Sequence, residues 1–176
     1  LIEIIGPKLR KFLDGLYLGS GYLAALFLIV ILVLILLQMM ARWTGEMFTG
    51  GPDYAGYFMA GASFFAFAYA LNNGNHIRVT LVLGILGKYR RIGEIWCFAM
   101  ATVLAVYWAR YAIKATWWSY KLNDISQGQD ATPLWIPQMS MAIGSVIFAI
   151  ALFDNLVRVV LFGTHSAGSQ ILKGEE

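Results

Sequence analysis

Asn73-Gly74-Asn75-His76-Ile77-Arg78-Val79 is the polar seam between two long apolar halves of this chain. Two uncharged runs precede it, Gly15 to Ala41 and Tyr54 to Asn75, and two more follow, centred on Ile95 to Ala109 and Ala131 to Phe153. At about 1.5 Å of rise per helical residue, such runs suit a hydrocarbon core roughly 30 Å thick. The expected fold is an all-α integral membrane protein with four transmembrane helices, at about 16–41, 54–73, 92–118 and 134–161 of one membrane domain covering 1–176.

Composition agrees with that reading. Of 176 residues, 59% are hydrophobic and only 13% charged, against about 25% charged in soluble domains. Four spans and their connections use nearly the whole length, which leaves no space for a soluble catalytic domain. The net charge of +3 is concentrated in the connections, so it reads as a topology signal and argues against nucleic acid as a partner. Cys97 is the lone cysteine; it sits in an apolar run, where packing is its expected role.

Ahead of the first span, Leu9, Phe12, Leu13 and Leu16 share one helical face among Lys8, Arg10 and Lys11, with Gly6-Pro7 as a break. This is the pattern of an interfacial N-terminal helix lying among lipid headgroups. Leu23 to Leu37 carries no polar side chain and is expected to face lipid or another apolar helix. The second span interleaves Gly56, Ala60, Gly61 and Ala62 with phenylalanines, the composition of a span packed inside the protein. Between the second and third spans, Thr80 to Gly87 is apolar but too short to cross, so a short interfacial segment is expected there.

The third span holds Arg110 and Lys114 one turn apart, and Lys121 follows in the next connection. They read as a cationic edge at the protruding end of that span, snorkelling beside Trp108, Trp117 and Trp118. Pro137 fits the first turn of the fourth span, where its missing N–H has no intrahelical partner. Asp154 and Arg158 are spaced for an i, i+4 structural ion pair, expected at headgroup level. Nine Lys and Arg residues (8, 10, 11, 78, 88, 90, 91, 158 and 173) fall on one side of the spans. At most four (42, 110, 114 and 121) fall on the other. The positive-inside rule then puts both termini and the seam in the cytoplasm.

Familiar membrane chemistry lacks its residues. Intramembrane haem needs paired histidines, whereas His76 and His165 both lie outside the apolar runs. Thiol–quinone exchange needs paired cysteines, and a metal site needs a ligand cluster. Ser63, Thr102 and Ser145 have no neighbouring base and are expected to bond back to their own helices. No catalytic, substrate-binding or metal residue is therefore assigned.

The seam carries a resemblance. Gly74-Asn75-His76-Ile77-Arg78-Val79 resembles the Gly-x-His-Ile-Arg-Val signature of the small membrane subunit of tripartite ATP-independent periplasmic (TRAP) transporters. Pro133-Leu134-Trp135-Ile136-Pro137, with Ile143-Gly144 following, is similar to that family's entry to its fourth span. Thr80 departs from the pattern, which often has an acidic residue there. The resemblance implies a non-catalytic subunit of a bacterial inner-membrane importer of organic acids. It also implies two partners, a large twelve-span subunit holding the substrate and sodium sites, and a periplasmic binding protein. No cofactor is expected in this chain itself.

On that basis Gly74, Asn75, His76 and Arg78 are candidates for subunit assembly. Gly74 suits a left-handed turn, Asn75 and His76 suit frayed carbonyls, and Arg78 suits a carboxylate or phosphate. Arg110, Lys114 and Lys121 are candidates for docking the binding protein, because exposed charge steers encounters. Two rivals are an orphan membrane anchor of a redox enzyme and an autonomous small channel or transporter. A bound haem or quinone would reveal the first, and ion flux in liposomes the second.

Overall fold

The computed structural model describes residues 2–46, 49–72, 90–128 and 130–162. These form four helices: α1 (Ile2–Thr44), α2 (Gly51–Asn72), α3 (Arg90–Leu122) and α4 (Trp135–Phe162). All four are long and apolar enough to cross a membrane. The seam at 73–79, the segment at 80–87 and the tail from residue 163 lie outside the described residues.

Local chemistry sets the helix ends. Gly45, at φ +79°, closes α1, and the Glu46 amide reaches back to the Ala41 carbonyl at 3.0 Å. Asn123, at φ +52°, closes α3, with the Asp124 amide bonded to the Ser119 carbonyl at 3.0 Å. Both are left-handed C-terminal caps of the Schellman type. Pro137 is the third residue of α4, so its missing N–H costs no helical bond, as expected.

Two expectations about local structure are corrected. The basic lead-in is no separate helix, because α1 runs through Gly6-Pro7 without interruption from Ile2. The long apolar propagation on its C-terminal side outweighs one lost backbone bond at Pro7. Cys97 is exposed on α3 and takes no part in the core, since the face that α3 buries is lined by Ala105, Ala109 and Ala112.

The helices stand in a row, in the order α1–α2–α4–α3. α1 packs on α2, α2 on α4, and α4 on α3, while α1 meets α4 only marginally. Small residues set these seams. A Cβ at Gly61 would lie 2.6 Å from the Phe27 ring of α1, and one at Gly144 would lie 2.7 Å from Cβ of Phe64 on α2. Phe27 also meets Phe58 and Phe65 edge-on, with ring centroids 5.4 and 5.8 Å apart. The core continues through Ala68, Leu71, Ala149, Ala151 and Leu152 to Ala105 of α3. Close backbone approach supplies the packing that a hydrophobic effect cannot supply between helices in lipid. α2 is thus interior to the row, as its composition implies.

The spans' hydroxyls are used locally. Ser63 bonds the Met59 carbonyl at 2.9 Å, Thr102 the Phe98 carbonyl at 2.7 Å, and Ser145 the Ala142 carbonyl at 2.8 Å. This is the back-bonding that keeps isolated hydroxyls satisfied inside helices.

Candidate functional site

Three polar clusters interrupt the row, and each stands at a different height. Gly74, Asn75, His76 and Arg78 lie outside the described residues, so the clusters come from the other candidates.

The first gathers around Asp154 and Arg158 of α4. Their side chains form the expected ion pair, 2.5 Å apart. The pair is covered by the protein, since the Arg158 side chain is only 9% and that of Asp154 18% exposed. Tyr17 of α1, fully buried, lies within electrostatic reach of both. Ser20 and Asn155 are buried with them, and the Ser20 hydroxyl bonds the Tyr17 carbonyl at 2.8 Å. Close by in sequence, Arg91 of α3 donates to the Val160 carbonyl at 3.0 Å, tying the end of α4 to the start of α3. The pair sits inside the protein because Tyr17 of the continuous α1 is buried against it. Sequence spacing gives the pair but not its cover.

The second is Arg110, Lys114 and Lys121 on α3. The Lys121 ammonium stands over the rings of Trp117 and Trp118, 5.1 and 5.5 Å from their centroids, an arrangement that anchors a helix end among headgroups. Tyr120 meets Trp135 edge-on at 5.7 Å, which fixes the top of α3 level with the start of α4. Arg110 and Lys114 stand lower, lining with Tyr107 and Tyr111 a shallow groove of about 500 Å³ on the outward side of α3. Lys121 lies two turns beyond Lys114 on the same face of α3.

Contacts across the row give the height of Arg110. One turn above it, Ile113 shares a groove with Ala142 and Ile143 of α4. Gly144 beside these abuts Phe64 of α2, whose neighbour Phe65 meets Phe27 of α1. Phe27 lies 13 residues after Asp14 and 15 before Arg42, about 20 and 22 Å along the helix. Ile113 is therefore level with the middle of the uncharged stretch of α1, and Arg110 stands one turn below it, further from the end of α3 than expected. α3 continues 12 residues past Arg110, to Leu122. An arginine at mid-span costs about 2.5–3.5 kcal/mol on insertion scales unless it is paired.

The third cluster was not singled out from the sequence. It pins the α3–α4 hairpin to the start of α2. The Ser126 amide bonds the Thr132 carbonyl at 2.8 Å, and the Leu134 amide bonds the Asp124 carbonyl at 2.9 Å. Tyr57 of α2 donates to the Ser126 hydroxyl at 2.6 Å, and Thr132 reaches the Tyr54 hydroxyl at 3.2 Å. Both Asp130 carboxylate oxygens are shielded from solvent beside these hydroxyls and make no direct hydrogen bond among the described residues. The hydroxyl of Thr132 most strongly, then those of Ser126 and Tyr57, hold this carboxyl below the usual carboxylate range against the opposing effect of burial. The Asp130-x-Thr132-Pro133 string before a helix was the available signal, since such residues favour side-chain-bonded turns.

A depressed carboxylate stabilises the fold above its unfolded pKa of about 3.9, and that contribution disappears as pH falls through the lower folded value. Acidification below about pH 4 is thus expected to loosen this hairpin, with Trp135 fluorescence as the readout. Asp130→Asn should give a flatter acid titration, and an unchanged curve would remove Asp130 from the lock.

Among the described residues no three His, Cys, Asp or Glu side chains come together as metal ligands. Four helices of membrane-spanning length packed side by side, with polar clusters near both ends, define a multi-span membrane protein. The family model described as "Tripartite ATP-independent periplasmic transporters, DctQ component" matches residues 31–162. That is most of the chain, and the chain belongs to this family, the small component of TRAP transporters in the bacterial inner membrane. The family works with a large membrane subunit and a periplasmic binding protein. Comparison with curated proteins and with solved structures gives no match.

Proposed function

We propose that the chain is the non-catalytic small membrane subunit of a TRAP-type importer of organic acids. It gives the large twelve-span subunit, which carries the substrate and sodium sites, a fixed frame to move against. The open row carries this reading. A closed bundle buries its apolar faces against itself, whereas a single layer leaves both faces uncovered. Residues such as Leu28 and Leu32 of α1, Met59 and Phe67 of α2, and Val103 and Tyr107 of α3 are all exposed. In a membrane such faces meet lipid or other helices, and packed Gly and Ala seams keep the layer stiff.

In this reading both termini and the 73–79 seam face the cytoplasm, and the hairpins at 45–50 and 123–134 face the periplasm. Gly74, Asn75, His76 and Arg78 serve assembly from the cytoplasmic side. Lys121, at the periplasmic end of α3, helps steer the binding protein as it docks. Arg110 and Lys114, level with the spans, are too deep for a soluble protein to reach.

Single cysteines test the orientation in a Cys97→Ala background. Glu46→Cys and Gln127→Cys, both at exposed positions, should react with a membrane-impermeant maleimide added to intact cells. Lys88→Cys and Ser169→Cys should react only after the membrane is opened. The reverse pattern would invert the topology. Capture of the large subunit by the tagged chain tests the role itself.

A further inference from the structure

Arg110 stands on the outer face of α3, where no described residue of this chain meets its charge. It is exposed and, among the described residues, has no ion-pair or hydrogen-bond partner, and the same holds for Lys114. It stands within about one turn of the height of Phe27, near the midpoint of the uncharged part of α1. A headgroup lies about 15 Å from a bilayer's centre, whereas an arginine side chain extends roughly 7 Å. Snorkelling therefore serves Lys114, one turn higher, better than Arg110. Lipid phosphate is out of reach for the same reason.

The surroundings of Arg110 are those of a helix contact. Trp96, Met100, Val103, Tyr107, Arg110 and Lys114 follow one another at alternating steps of four and three residues, and all are exposed. A repeat of 3.5 residues is the seam along which a second helix packs with left-handed crossing. This stripe lies opposite Ala105, Ala109 and Ala112, which are buried where α3 packs on α4. α3 is the end of the row, so none of the described helices covers the stripe.

We propose that the outward face of α3 around Arg110 is a docking surface for a transmembrane helix of the large membrane subunit, one carrying a carboxylate at mid-depth. The proposal rests on the subunit role given above. Planar guanidinium donors meet a carboxylate through two parallel bonds, and membrane-embedded cations are as a rule paired in this way. The stripe supplies packing and Arg110 fixes the register. A neutral helix would leave the cation unpaired and would be rejected.

The test uses the chain co-expressed with its large subunit. Arg110→Leu should lower recovery of the large subunit on the tagged chain by roughly tenfold or more, with Arg110→Lys between it and the unchanged chain. The isolated Arg110→Leu chain in detergent should melt at the same temperature or higher, because a charge has been removed from an apolar face. A benzoylphenylalanine photoprobe placed at Tyr107 should cross-link to the large subunit. The same probe at Leu32 of α1 serves as the comparison for lipid exposure.

If the unchanged chain captures the large subunit while Arg110→Leu captures it equally, or while the Tyr107 probe labels lipid alone, the docking surface is refuted and the subunit role stands. A melting temperature that falls together with recovery also overturns the proposal, since Arg110 would then serve the fold of α3 itself. Failure of the unchanged chain to capture the large subunit sinks both readings at once.

Discussion

Gly144→Val is expected to separate the two halves of the row. α1–α2 and α3–α4 are each joined by a short connection, and the two pairs meet mainly along the seam between α2 and α4. At its centre a Cβ on residue 144 would stand 2.7 Å from Cβ of Phe64 and 2.9 Å from its carbonyl carbon. Those atoms belong to the α2 backbone and its first side-chain carbon, so no rotamer change can clear them. Gly61 is different, because what a Cβ would strike there is the far edge of the Phe27 ring, which can turn aside. Overpacking costs about 1–3 kcal/mol where neighbours yield, and Gly144→Val should reach the top of that range or exceed it. Unfolding in detergent should show the loss, and Gly61→Ala should cost clearly less. A Gly144→Val chain as stable as the original would mean that α2 and α4 are not held by close approach.

The contrast shows what could be read from the sequence. Leu23 to Leu37, the Gly/Ala/Phe mixture of α2 and Pro137 each announce a helix and its surroundings, because length and local composition decide them. The contact glycines, Gly61 against α1 and Gly144 against α2, were visible as residues, but nothing local says which helix each one meets. Arg110 was misplaced for the same reason. Near the end of an apolar run a charge reads as an end, and only the contacts from Ile113 through Gly144 and Phe65 to Phe27 fix its depth. Asp130 was passed over because the hydroxyls around it come from three places, at 57, 126 and 132, brought together only when the hairpin folds onto α2.

Arg158→Leu is expected to be the most damaging change at the cytoplasmic end proposed above, and its partner change tells why. Removing the guanidinium leaves Asp154, 18% exposed, with its charge uncompensated beside the buried Tyr17. Breaking such a pair from one side typically costs about 3–5 kcal/mol, mostly because of the charge left behind. Asp154→Leu should cost a similar amount by stranding the arginine. Replacing both with leucine removes the two desolvation penalties together, so the double variant should be more stable than the sum of the singles predicts, with a coupling of about 2 kcal/mol or more. Tyr17→Phe separates the cover from the pair. The Tyr17 hydroxyl is buried and, among the described residues, without a hydrogen-bond partner, so its loss should leave stability unchanged or slightly raised. Single variants whose costs simply add would show that the two charges are solvated independently, and the ion pair would then contribute nothing to holding α4 against α1.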